Sequence, residues 1–143
     1  MTHAQLTENV HALCFAPGDD IIGELTAYCK EQAIANAQIT GLGSVENPTL
    51  AHYTMATHQF AQKELDGTFE ITALSGNIGL INDQPAPHLH VSLADADMHA
   101  FGGHLMAGVC GATLEVIVTA YPSQFTKSYN EQIGLNVWDF PSP

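Results

Sequence analysis

A chain of 143 residues, 45% of them hydrophobic, can bury one core without disulfide staples and is too short for two ordinary domains. Fifteen acidic residues against three lysines and no arginine give a formal net charge of −12, which repels phosphate backbones and limits any basic patch to Lys30, Lys63 and Lys127. No segment reaches the roughly 18 apolar residues of a membrane span, and MTHAQLTENVHAL lacks the basic start and apolar run of a secretory signal, so a cytoplasmic protein is expected.

In chain order, "PGDDIIGELTAYCKEQAIANA" opens with Pro17-Gly18 and with Asp19 or Asp20 as the helix cap. It then sets Ile22, Leu25, Cys29 and Ala33 at three- and four-residue steps. This predicts one amphipathic helix ending near Asn36. "QITGLGS" reads as a short strand breaking up at Gly41 and Gly43. Those glycines lack the lysine and following helix of a phosphate loop, and suit a tight turn or a close approach between subunits. "LAHYTM" is a further strand, and "FAQKEL" and "TFEITALSG" flank Asp66-Gly67, a strong hairpin signal. "NIGLI" then runs into a loop, "NDQPAP", followed by strands in "HLHVSLA", "HAFGGHL" and "TLEVIVTAY". One helix before many strands with short connections predicts an α+β fold, a mostly antiparallel sheet with the helix on one face. Residues 1–143 form a single domain with a loose tail at 141–143. Cys14, Cys29 and Cys110 are odd in number and set among apolar neighbours, which reads as buried thiols in a reducing compartment.

The stretch "HLHVSLADADMHAFGGHL" carries the chemistry. Alternation along a strand places His88, His90 and Ser92 on one face and Leu89, Val91 and Leu93 on the core face. If Ala96-Asp97-Met98 form a three-residue turn closed by Asp95 opposite His99, His104 lies across from His90, Leu93 opposes Phe101 and Leu89 opposes Leu105. A register slipped by one residue would push His104 among the leucines. Three neutral imidazoles converging from two strands suit a zinc ion with an open fourth position, and their lack of charge would draw an anion to it. Gly102 and Gly103 leave room above the sheet and permit a bulge that aims the His104 ring. The competing reading is of ordinary solvent-facing histidines on a sheet, because His-x-His alone is a weak signal. His3, His11, His52, His58 and His99 lack such spacing and read as structural or surface residues.

The run "PHLHVSLADADMHAFGGHL", together with "APGDDIIGELTAYCKEQAI", "ITGLGSV", "FEITALSGNIGLI" and "FTKSYNEQIGL", resembles the plants-and-prokaryotes-conserved (PPC) domain over nearly the whole chain. The resemblance implies a homotrimer and a metal held by residues matching His88, His90 and His104. The sequence departs from the family pattern at Cys14 in "HALCF", at Met98 where the turn usually carries glycine, and at Lys127 in a usual arginine position. In plants the domain is joined to a basic minor-groove element, and prokaryotic relatives are labelled DNA-binding on that basis. This chain has no such element.

The PPC fold is also similar to that of acetolactate decarboxylase, whose zinc is held by a His-x-His pair and a further histidine. Three functions follow as expectations. The first is a homotrimeric metal-binding module serving assembly or small-ligand binding, with an anionic ligand at the metal. The second is a zinc-dependent enzyme on a small oxygenated metabolite, its catalytic residues unknown. Glu115 and Asp95 are the candidate proton carriers there, though Glu115 also reads as an outward strand residue and Asp95 as a turn former. The third is a DNA-associated regulator, disfavoured by charge.

Overall fold

A computed structural model describes residues 1–140, so the tail expected at 141–143 lies outside the described residues. Nine strands and one helix are seen among them: β1 (Thr2–Gln5), β2 (Val10–Phe15), α1 (Ile21–Glu31), β3 (Ala37–Thr54), β4 (Gln59–Glu64), β5 (Thr68–Ile81), β6 (Gln84–Ala94), β7 (Ala100–Ala120), β8 (Thr126–Asn130) and β9 (Leu135–Asp139). The fold is α+β, with one mostly antiparallel sheet. No helix among the described residues is long and apolar enough to cross a membrane.

Strands β3 and β7 organise the sheet. Each joins two segments that the sequence presents as separate strands, and both are bent by bulges rather than cut by loops. Gly41 and Gly43 sit in β3 at such a shift, where the pairing with β5 slips by one residue. Gly43 has φ of 150°, and a Cβ there would lie 2.6 Å from the Leu114 Cα, so only glycine fits the crossing. The expected turn at these glycines is therefore a mid-strand bend.

Antiparallel pairing links β3 to β5, β5 to β6, β6 to β7 and β7 back to β3, a closed circuit of four strands. One edge of the circuit extends through β2 to β1. Helix α1 packs against β6 and β7 through Ile21, Leu25, Tyr28 and Cys29, meeting Leu89, Val91, Leu93 and Leu105 in one continuous core. Asp20 is the N-cap residue but makes no side-chain cap bond. The helix ends well before Asn36, because Ala33 turns left-handed at φ of 54°.

Two turns differ from expectation. Asp66-Gly67 makes no hairpin: β4 and β5 lie end to end along the same edge of β3, and the two residues form a jog between them. The jog is held by Asn47, whose Oδ1 accepts from the Gly67 amide at 2.9 Å and whose own amide donates to the Gly67 carbonyl. The expected loop "NDQPAP" is instead a tight turn. Asn82 and Asp83 both have positive φ, 51° and 60°, and β6 starts at Gln84. Pro85 and Pro87 are tolerated because that part of β6 pairs only with β5. Cys29 and Cys110 are buried as expected, and burial pushes the Cys29 thiol up to about 12. Cys14 is exposed, since Leu13 and Phe15 take the inward positions of β2 and alternation turns Cys14 outward.

Candidate metal centre

The β6–β7 hairpin has the expected register. His90 pairs with His104, Leu93 with Phe101 and Ala94 with Ala100, although the ladder stops at His90–His104 and leaves Leu89 and Leu105 unpaired to each other. No bulge occurs at Gly102-Gly103; the shift in β7 falls beyond His104, where the neighbouring strand β3 steps from Leu50 to Thr49. The Asp95 carboxylate accepts from the amides of Asp97 and His99, both at 2.9 Å, and Met98 takes the left-handed position at φ of 66°. Those backbone bonds, ahead of the nearby His99, hold the Asp95 carboxyl below its usual range. Asp95 is thus a turn former, about five strand residues or ~17 Å from the His90–His104 pair. Glu115 stands on the outer face of β7 beside Cys14 and Leu42. Neither candidate proton carrier reaches the histidines.

The three predicted histidines come together. Their ring centroids are 5.1 Å (His88–His104), 5.2 Å (His88–His90) and 5.4 Å (His90–His104) apart, and one nitrogen from each lies within 4.8 Å of the others. The Nε2 atoms of His88 and His90 are 3.3 Å apart. Two nitrogens each about 2.0–2.1 Å from a tetrahedral ion would stand about 3.3 Å apart, so this pair has the spacing of one edge of a zinc site. Burial is the main reason that His88 is held down at about 4 and His104 below its ordinary value, with Lys127 and the neighbouring imidazoles acting in the same direction. Neutral imidazoles with free lone pairs are the state a metal requires. The donor set can therefore hold a divalent ion.

The cluster opens on a cavity of about 600 Å³. Phe60 packs on His104 at 5.5 Å and on Tyr53 at 4.9 Å, and the Tyr53 hydroxyl donates to the Ile133 carbonyl between β8 and β9. Sequence reasoning missed three features of the wall. His52, read as structural or surface, is exposed, and it borders both this cavity and the neighbouring one lined by Leu50 and Lys63, outside the three-nitrogen group. Lys127 and Asn136 arrive on the β8–β9 hairpin, whose only ladder pairing with the rest of the sheet among the described residues is one parallel pair, Leu80 with Thr126. Nothing local in "FTKSYN" signals this, because the hairpin is placed by Asn36. That buried side chain donates to the Phe125 carbonyl and accepts from the Phe125 amide, both at 2.9 Å.

A second group, Asp95, Asp97 and His99, also brings ligand atoms within 4.8 Å of one another. Its Asp95 oxygens are already engaged by the turn amides and by His99 Nδ1 at 3.3 Å. Two of the remaining histidines gather around Tyr28. His11 bonds the Tyr28 hydroxyl at 2.8 Å in the core, and His3 packs on the same ring at 4.8 Å.

The model of the Plants and Prokaryotes Conserved (PCC) domain matches residues 3–122. The chain belongs to this family. A PCC-domain match of that extent covers the whole three-histidine hairpin and ends before β8. Over 96% of its own length, a candidate DNA-binding protein of Bacteroides thetaiotaomicron superposes on 97% of the chain with a TM-score of 0.92 and 29% identity. A metal-containing protein of Archaeoglobus fulgidus superposes on 96% of the chain, over 100% of its own, with a TM-score of 0.84 and 25% identity. The bifunctional protein GlmU of Synechococcus sp. (strain JA-3-3Ab) is 32% identical over 112 residues, 78% of this chain and 17% of that protein. The PCC domain described here thus spans about a sixth of the curated relative it matches.

Proposed function

We propose that this PCC domain is a metal-binding module in which His88, His90 and His104 hold one divalent ion, zinc by preference. The open position would face the cavity and take a small ligand. The observation that carries the reading is the convergence of three ring nitrogens within 4.8 Å, with a 3.3 Å spacing between two of them. Likeness to the metal-containing archaeal protein supports it. The ion would supply Lewis acidity and positive charge; the chain's own residues fix the imidazoles through the β6–β7 register and shield one side of them with Phe60.

The module works as a homotrimer in this reading. Family resemblance supports that, and so does the largely apolar outer face of β2, β7 and β3, where Leu42 is 60% exposed and Ile117 38%, with Glu115 among them. Elemental analysis of the purified protein should give one zinc per chain, falling to background in His88→Ala and His104→Ala and unchanged in His52→Ala. Light scattering should give three chains per particle. Background zinc in the wild type after loading and desalting would remove the metal reading.

A regulator that grips DNA directly is the weaker alternative. Likeness to the candidate DNA-binding protein of Bacteroides favours it, and a net charge of −12 opposes it.

A further inference from the structure

We propose that Lys127 is the anchor for a small organic carboxylate, one end of the ligand on its ammonium and the other at the three-imidazole cluster. The inference deepens the metal reading and rests on it. Its first support is the sign of the pocket. In a chain with fifteen acidic residues, the cavity wall contains the three clustered histidines and Lys127 and, among the described residues, no Asp or Glu. An ion held by neutral imidazoles keeps its full charge, and a lysine beside it adds another. Such a pocket is balanced by an anion.

Lys127 is itself placed for that task. The side chain is half-buried, and among the described residues it has no hydrogen bond or carboxylate partner. A half-buried ammonium without a counter-ion is costly unless a ligand supplies one. Its route to the cavity is built into β5. A Cβ at Gly79 would lie 2.6 Å from the Lys127 Cε and 3.1 Å from its Cδ, so the missing side chain is the channel the lysine stem crosses. Gly79 pairs with Ala86, two residues before His88, which brings the stem alongside the cluster. The hydrogen bonds from Asn36 to Phe125 fix the start of β8 two residues from the lysine.

The remaining wall selects the body of the ligand. Tyr53, Phe60, Ile81, Pro87 and Leu135 are apolar or aromatic, and about 600 Å³ is the size of a small-molecule site. Inorganic phosphate shares the oxyanion chemistry but has no apolar part to place against these side chains. A short 2-keto acid has both, with a carboxylate for the ammonium and a second oxygen directed towards the ion.

The test uses the zinc-loaded, full-length protein, with pyruvate and inorganic phosphate as separate probes in calorimetric titrations. Wild type should bind pyruvate more tightly than phosphate. Lys127→Met, which keeps the stem over Gly79, should weaken pyruvate by about tenfold or more, the loss of one charge-assisted contact, with zinc stoichiometry unchanged. Lys127→Arg should retain most of the binding, and Gly79→Val, which blocks the stem, should behave like Lys127→Met. Equal pyruvate affinity in wild type and Lys127→Met overturns the assignment and leaves the metal reading standing, as does absence of pyruvate binding to zinc-loaded wild type. Phosphate binding tighter than pyruvate overturns the organic carboxylate. Failure of wild type to take up zinc overturns this inference together with the reading beneath it.

Discussion

Asn36 shows how one buried polar residue can place a distant part of a site. Fully enclosed, it uses both ends of its amide on the backbone of Phe125, 89 residues away in sequence. Asn36→Ala leaves the half-buried Phe125 carbonyl and amide without this partner, which costs about 1–3 kcal/mol. Urea unfolding should show that loss as a lower midpoint, and the mutation should loosen β8, so that pyruvate affinity falls while zinc binding holds. An unchanged midpoint would show that water replaces the side chain. At this scale the sequence was legible where a local period exposes a residue's role. His88, His90 and His104 follow from alternation and one hairpin register. Lys127 carries no such mark, because it reaches the cavity through the docking of β8, a contact that no short window of sequence contains.

At the level of elements, the β6–β7 hairpin was legible because its turn, its core face and its polar face all demand one register. Asp66-Gly67 has the composition of a hairpin, yet β3 is long enough to pair with β4 and β5 in succession, and tertiary pairing overrides the local signal. The same competition explains why β3 and β7 each read as two strands: glycines and a proline that look like breaks are accommodated as bulges where the strands cross. Met98 marks a local cost in the otherwise consistent hairpin. Its side chain is 82% exposed and its φ of 66° lies in the left-handed region, which disfavours residues with a Cβ by about 1–2 kcal/mol. Met98→Gly removes that strain and gives back about 0.4–1 kcal/mol through a freer unfolded chain. The expected net effect is a gain of up to about 1.6 kcal/mol, a rise in Tm of up to about 5 °C by calorimetry. A fall in Tm would mean that the methionine makes contacts worth more than the strain.

For the whole molecule, the four-strand circuit of β3, β5, β6 and β7 leaves the histidine face of β6 under a cap made by β4, β8 and β9, while α1 closes the core on the other side of the same strand. Charge then separates the functional readings. A surface at −12 repels duplex DNA, so a mobility-shift titration at physiological ionic strength should stay flat, and a salt-sensitive shift would restore the DNA reading. Acid should act on the fold through histidines rather than through that net charge. His11 is buried against Tyr28, and burial first, then His3, lowers its pKa below the ordinary value of about 6.5. His104 and His88 are shifted the same way, mainly by burial, the latter to about 4. A histidine whose folded pKa is depressed favours the fold while it is neutral. The contribution is fully present above about pH 6.5, and it is lost as falling pH protonates the unfolded chain before the native one. The metal-free protein should therefore lose thermal stability between pH 7 and about pH 4. Zinc should hold the Tm up at neutral pH and lose that effect as protons compete for the imidazoles. Replacing the core histidine separates its share: His11→Phe should lower the Tm at pH 7, by leaving the Tyr28 hydroxyl unpaired, and should make the decline towards pH 5 shallower. A decline as steep as that of wild type would assign the acid sensitivity to the cavity histidines instead.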